Sequence, residues 1–368
     1  MKWLDAGQLD AWSSRVDART RLSEIIAQLV RASASGMADY DFPTGDSAQR
    51  PGYDGRVTAN PASGFEHFLP EGASVWEYGA SEDYLDKANG DYKTRTERPG
   101  DAVDPTQTTL VIVTGRRWNL QKPTLAEWVA AKKAEGHWKD VRAYDAIALE
   151  AWLDLCPAVA AAIARDVVGT LPQTGALSPQ EYWDEYSSQF EPHLKEEVLV
   201  AARKEQSDAM LREFTAGPQI HRWQGDSLAE VLAFMVASIR LAPERDRKFL
   251  ESRVLLLESK EAARLLDGRK NLIFSVNGEA TSMAGKLANS HTVVVPLGRD
   301  SLRDGAATRL KRPSGYEMSE ALKSMGLNED DCRRLALECD RSVTILARRI
   351  ASAGAKRTSW HRDRKSVV

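Results

Sequence analysis

Cysteine is scarce in this chain of 368 residues, with three copies only, Cys156, Cys332 and Cys339. An odd set without metal-ligand spacing argues against both a disulfide framework and a zinc site. Long apolar runs are missing as well. Stretches such as Leu110–Val113 and Val254–Leu257 fall far below the ~20 residues that a membrane-spanning helix requires, so no membrane partner is expected. The N-terminus, Met1-Lys2-Trp3-Leu4-Asp5-Ala6 and then Asp10, Arg15 and Asp17, lacks the apolar core of a secretory signal, and a cytoplasmic chain is expected. No Gly-x-Ser-x-Gly element or Cys/His arrangement supports acyl-transfer chemistry, and His67 and His137 have no partner spacing.

Neither sign of charge dominates. The formal net charge is −3 at pH 7, but residues 1–170 carry −6 and the remainder +3. The last 28 residues hold Arg341, Arg348, Arg349, Lys356, Arg357, Arg362, Arg364 and Lys365 against the single acid Asp363. Such a tail suits phosphate contact, or is a solvated end.

What is present is an alternation of elements. Leu22, Ile25, Ile26, Leu29 and Val30 recur at helical spacing and predict a helix ending near Ser33 to Gly36. A Gly/Pro/Asp/Ser-rich loop follows over Asp39 to Gly52, then strands around Gly55–Thr58 and Ser74–Tyr78 and a polar helix over Lys87–Arg95. Thr109–Thr114 is apolar and β-branched, as a buried central strand should be. A helix over Leu125–Glu135, a strand at Val141–Tyr144 and a helix capped by Asp145 complete an α/β layer. Gly169–Ser178 breaks the pattern and marks the expected domain boundary. Beyond it, strands are expected at Ile220–Trp223, Phe249–Glu258, Asn271–Val276 and Thr292–Pro296. Helices are expected from Leu228, over Tyr316–Met325, over Glu329–Cys339 and over Ser342–Ala351. The expected division is 1–170, a helical linker over 171–215, and 216–368.

The chemistry-bearing stretch runs from Pro51 to Arg95. Asp54 stands between Tyr53 and Gly55 at the start of a strand, and Glu77 interrupts an otherwise apolar one. Two carboxylates on adjacent strands can share a hard cation such as Mg²⁺, which takes oxygen ligands and keeps several waters. The ion would activate a water and neutralise phosphodiester charge, with a lysine nearby to stabilise the developing oxyanion. The bland readings stand beside these: Asp54-Gly55 is also a turn pair, Glu77 an edge-strand residue and Glu24 a polar-face residue. Lys93 and Arg95, on the polar helix with Lys87, suit a DNA phosphate path or a solvated face. Asp91 can pair with Lys87 or Arg95 at helical spacing. Arg116 and Arg117 follow the central strand, where ligands bind in open α/β sheets, and are further candidate nucleic-acid contacts.

With Glu24 on the first helix, Asp54, Glu77 and Lys87, residues 18–168 resemble the restriction-endonuclease-like superfamily of PD-(D/E)XK nucleases, in an Mrr-like branch. The resemblance implies a mixed sheet flanked by helices, with Asp54 and Glu77 as metal ligands, Glu24 as an auxiliary acid and Lys87 as the catalytic lysine. It implies a Mg²⁺- or Mn²⁺-dependent DNA endonuclease in defence against foreign DNA. One departure stands out: the family places lysine two residues after the strand acid, and here that residue is Gly79.

The second half has the order of a nucleotide-binding module, yet the turn Gln224-Gly225-Asp226-Ser227-Leu228 lacks the second glycine and the lysine of a phosphate loop. Residues 195–352 resemble the core of STAND-type signalling ATPases with that loop lost. The resemblance implies a P-loop-like α/β domain that regulates, oligomerises or recognises a partner defence protein. The rival readings are a catalytically inactive scaffold or regulatory nucleic-acid-binding protein, and an ATP-fuelled switch built on Asp226 and Ser227.

Overall fold

In the computed structural model, which describes residues 2–36, 39–43, 52–168, 175–301 and 306–351, contacts divide the chain into two units, Met1–Pro172 and Gln173–Val368. The first begins with α1 (Ala6–Trp12), which Asp5 and Gln8 close at its N-terminus with a reciprocal capping box. Helix α2 (Ala18–Ser33) turns its apolar stripe inward. Strands β1 (Asp39–Asp41), β2 (Gly55–Ala59) and β3 (Gly72–Gly79) follow, then α3 (Tyr84–Glu97), β4 (Thr109–Thr114), α4 (Leu125–Ala134) and β5 (Asp140–Tyr144). Helices α5 (Ala146–Leu155) and α6 (Pro157–Val168) close the unit. Asp145 caps α5 as expected, accepting from Ile147 N at 3.1 Å and Ala148 N at 3.0 Å.

The sheet runs β1-β2-β3-β4-β5, with β1 to β3 an antiparallel meander and β3, β4 and β5 parallel. The parallel half requires crossover helices, which α3 and α4 supply. Every residue of β4 is buried, as its position between two strands and two helical layers demands. Side chains alternate across the sheet. Val75, Leu110 and Ile112 therefore pack with Ala88 and Tyr92 of α3, whereas Trp76 stacks on Trp152 at 6.2 Å on the other face, with Phe68 a further 5.3 Å stack beyond.

The second unit contains β6 (Ala176–Leu177), α7 (Pro179–Ser187), α8 (Glu196–Val200), α9 (Lys204–Thr215), β7 (Gln219–Gln224) and α10 (Leu228–Arg240). Then come α11 (Glu244–Glu251), β8 (Val254–Leu257), α12 (Lys260–Leu266), β9 (Ile273–Val276), α13 (Ala284–Leu287), β10 (Thr292–Leu297) and β11 (Thr308–Arg309). Helices α14 (Gly315–Leu322), α15 (Glu329–Glu338) and α16 (Val343–Arg349) end the described chain. The sheet order is β11-β7-β10-β9-β8-β6, parallel apart from β6. The chain leaves β7 for β8, fills β9 and β10 back toward β7, and places β11 on its far side. Helix α10 is buried without interruption from Ala229 to Ile239, as a helix apolar on all sides must be.

Three expectations change. Residues 176–215 are no linker: Tyr182, Trp183, Tyr186, Met210 and Phe214 enter the core of the second unit, and β6 pairs with β8. Phe249 belongs to α11 rather than to a strand, because Glu244-Arg-Asp-Arg-Lys gives that segment a polar helical face. A short polar strand, β1, lies in the stretch read as loop. Residues 169–174 of the expected boundary, and the tail residues Lys356, Arg357, Arg362, Arg364 and Lys365, lie outside the described residues. Among the described residues, no single helix is long and apolar enough to cross a membrane.

Trp152 is fully buried and donates from Nε1 to Ser33 Oγ at 2.7 Å. Trp152→Ala is expected to cost the first unit about 3–5 kcal/mol, the usual loss for a large aromatic removed from a core. Denaturant unfolding of the full chain followed by tryptophan fluorescence reads this loss.

Candidate active site

The two strand acids meet because of register. Strands β2 and β3 pair with Gly55 opposite Trp76 and Arg56 opposite Val75, so one step further Asp54 comes opposite Glu77. Two hydrogen bonds fix that step: Tyr78 N donates to Asp54 Oδ2 at 3.0 Å, and the Tyr78 hydroxyl donates to Asp54 O at 2.8 Å. Glu77 shares the face of β3 that α3 covers and is 3% exposed. Burial first, and then the Asp54 charge, push its carboxyl up to about 8 against the pull of Arg95.

Helix α3 lays one polar stripe along these acids, Lys87, Asp91 and Arg95, each four residues from the next. Ala88 and Tyr92, one residue round the helix, are buried and anchor that orientation. Arg95 donates from Nε to Glu77 and from Nη2 to Gly52 O, and its guanidinium lies 4.7 Å from the Tyr53 ring centre. Lys87 donates to Asp91. Burial raises the Asp91 carboxyl, with Lys87 opposing and the Asp54 charge adding to the rise.

Gly79 leaves room for the stem of a lysine from the helix. A side chain beginning at Gly79 would meet Lys87, whose Cε lies 3.4 Å and whose Cγ lies 3.7 Å from the Cβ position. The stem of Lys87 thus fills the space that a strand lysine at residue 79 would have used. Gly79, Lys87, Asp91, Tyr84, Thr114 and Trp118 line one cleft at the C-terminal ends of the parallel pair β3–β4, and neither Asp54 nor Glu77 is among its lining residues.

The other candidate residues fall elsewhere. Glu24 is half-buried on α2 and paired with Arg21 at 3.1 Å; its neighbour Ser23 is the residue that reaches the Tyr78 hydroxyl. Lys93 is exposed, 3.9 Å from Glu97. Arg95, read as a phosphate contact, is instead the partner of Glu77. Arg116, also read as a nucleic-acid contact, is spent inside the protein, donating to Ala80 O at 3.2 Å, Asp10 O at 3.2 Å and Ser14 Oγ at 2.7 Å. Arg117 lies against α1, its Nη2 3.0 Å from the Cβ position of Gly7. The reason is α1, absent from the sequence-based elements although Asp5-x-x-Gln8 is a capping-box signature. Tyr53 and the Gly52 carbonyl belong to the site and carried no sequence signal beyond their adjacency to Asp54.

Among the described residues no group of three or more His, Cys, Asp or Glu is placed to hold a metal ion. Two adjacent carboxylates remain, a donor set that suits Mg²⁺, which commonly takes one or two protein carboxylates and completes its shell with water. Arg95 must leave Glu77 for that set to open. Compared with known proteins, the chain matches no protein-family model and no curated sequence.

The raised Glu77 carboxyl carries a stability signature whose sign is fixed. Folded, it holds its proton to about pH 8; unfolded, it releases it near 4.3. The native state therefore binds the extra proton between these values, and stability falls as pH rises through that window, by at most ~1.4 kcal/mol per pH unit for one group. Glu77→Gln is expected to flatten this decline between pH 5 and 8 in urea titrations; an unchanged slope refutes it.

Proposed function

We propose that the first unit is a Mg²⁺- or Mn²⁺-dependent endonuclease of the restriction-endonuclease-like (PD-(D/E)XK, Mrr-like) kind, hydrolysing phosphodiester bonds of DNA, with defence against foreign DNA as its setting. The observation that carries this reading is the facing pair Asp54 and Glu77 with the Lys87 stem laid over Gly79. The element order supports it: a helix, a three-strand antiparallel meander, a crossover helix and a parallel fourth strand. Two acids on neighbouring strands and one lysine from a helix supply between them the three groups that the sequence resemblance asks of three positions.

The roles follow from chemistry. Asp54 and Glu77 would hold the ion, which when bound would supply an activated water and neutralise phosphate charge. Tyr78 holds Asp54 in place through main chain and side chain. Asp91 orients the Lys87 ammonium, which stabilises charge developing on a phosphate oxygen. Arg95 bonds the Glu77 carboxyl while no cation is bound, and on release would become a guanidinium suited to a bidentate phosphate contact. DNA is the partner, and basic side chains would make its binding steeply salt-dependent.

A second reading has its own support. Glu77 is buried, bonded to Arg95 and pushed up to about 8, so it is satisfied without metal, which favours a catalytically inactive nuclease-fold scaffold or regulatory nucleic-acid-binding protein. For the second unit we infer a STAND-type, P-loop-like core without its phosphate loop, which regulates the first or engages a second copy or a partner defence protein. Its parallel sheet around β7 and the missing lysine after Gly225 support that inference.

Plasmid cleavage with Mg²⁺ or Mn²⁺ separates the readings. Asp54→Ala and Glu77→Ala are expected to abolish nicking, and Lys87→Ala to lower the rate by ~10²-fold or more, the usual loss when one charge-stabilising donor is removed. Because Lys87 occupies the space above Gly79, the double variant Lys87→Ala/Gly79→Lys is expected to recover part of the loss. Equal cleavage by wild type and both acid variants removes the assigned site, and no cleavage by any protein leaves the scaffold reading.

A further inference from the structure

The second unit contains a densely bonded polar cluster at the C-terminal end of β7, which the reading above leaves unused. This is where the chain switches direction across the sheet: the connection from β7 runs to one side and β11 lies on the other, and such switch points are where open parallel sheets bind anions and nucleotides. The turn begins at Gly225, where a Cβ would stand 3.0 Å from Val231 Cγ2, and leads into the thirteen-residue helix α10.

The arginines there already hold a carboxylate. Arg312 Nη2 donates to both oxygens of Asp226, at 2.9 and 2.8 Å, and Ser342 Oγ donates to Asp226 Oδ2 at 2.7 Å. Burial alone would raise the Asp226 carboxyl; Arg312 and Ser342 override it and hold the group below the ordinary range, with Arg299 adding to the pull. Behind it Glu230, 1% exposed, accepts from the Asp226 N–H at 3.0 Å, from Thr344 Oγ1 at 3.0 Å and from Arg203 Nη2 at 2.6 Å. Arg203 is equally buried and also donates to Lys311 O at 2.5 Å. A guanidinium and a hydroxyl converging on one anion above a helix N-terminus is the donor set that otherwise receives phosphate oxygens.

The far side of this cluster is the turn that ends α15. Asp340 and Arg341, in the turn between α15 and α16, sit at φ 47° and 59°, a region that costs about 1–3 kcal/mol for such residues and persists only where surrounding contacts enforce it. Arg312 Nη1 holds Asp340 Oδ2 at 3.2 Å, and Ser342 follows at once. Backbone hydrogen bonds close the turn, from Asp340 N to Leu337 O at 3.1 Å, Arg341 N to Ala336 O at 3.3 Å and Ser342 N to Cys339 O at 2.9 Å, and the contacts to Asp226 and Arg312 tie it to the sheet.

We propose that this cluster is an anion cradle whose ligand is the chain's own Asp226 carboxylate, an internal substitute for a phosphate that fastens the α15–α16 turn to the parallel sheet. The turn is accordingly fastened without a bound phosphate.

Removing the tethered anion tests this, with inorganic phosphate as the probe. Thermal unfolding of the full chain is compared in phosphate and in chloride at equal ionic strength. Wild type is expected to show the same Tm in both apart from the general effect of phosphate on an Asp226→Ala/Arg312→Ala control. Asp226→Ala is expected to unfold several degrees lower in chloride and to regain a few degrees in phosphate, saturating with concentration as binding to the folded state requires. Asp226→Ser, which keeps a polar cap in the turn, is expected to behave alike. Saturable stabilisation of wild type overturns the proposal, because its cradle would then be open. So does an Asp226→Ala or Asp226→Ser protein that phosphate helps no more than the control, or failure of both to fold in either buffer.

Discussion

Glu77 is a carboxylate held out of water beside another carboxylate, and most of what surrounds it in the first unit can be read as a response to that cost. A buried, unpaired carboxylate is expensive enough that it normally keeps its proton or finds a cation. Here burial and Asp54 favour the proton while Arg95 favours the charge, and the outcome is a carboxyl pushed up to about 8. The register of β2 on β3 creates the conflict, and the stripe of α3 that ends in Arg95 moderates it. Apolar packing of Ala88 and Tyr92 against Val75, Leu110 and Ile112 decides which stripe of α3 faces the sheet, and so brings Lys87 over Gly79. Ordinary core packing thereby sets the geometry of the polar site.

The second unit solves a similar problem differently. Glu230 is as buried as Glu77, but its partner Arg203 is buried with it, at 1% exposure for both side chains, and backbone and hydroxyl donors satisfy its other oxygen. Such a fully bonded pair contributes little net stability compared with apolar packing, yet breaking it by removing one partner is costly. Glu77 instead depends on a single arginine that keeps 20% of its side chain exposed. One carboxylate is bonded on both oxygens by buried and half-buried donors, and the other leans on a partly exposed arginine.

Much of this was legible in the sequence where local physics dominates. The apolar run of β4, the 3.6-residue period of α2 and the Asp145 cap each rest on interactions within a few residues, and their boundaries agree closely with expectation. Glu77 stood out for the same reason, as a charge inside an apolar strand. What stayed hidden depends on contacts distant in sequence. Arg116 and Arg117 look like free cations until α1, about a hundred residues earlier, is known to cover them. Arg95 reads as a member of a basic face, because its partner is fixed by the angle at which α3 docks. Helices α7 to α9 read as a linker because their aromatic residues reveal their purpose only beside the β7 sheet.

The same limit applies to Asp226. At its position in the turn it looks like a charge that would repel phosphate, and within a window of ten residues that inference is sound. Arg312, 86 residues later, and Ser342, 116 residues later, reverse its meaning: the turn faces cationic and hydroxyl donors, and these need an anion. A carboxylate supplied by the turn itself is present at fixed high effective concentration, whereas a free phosphate must give up its translational freedom to bind. Without the Asp226 carboxylate, the guanidinium of Arg312 and the hydroxyl of Ser342 would be left without the anion they now share.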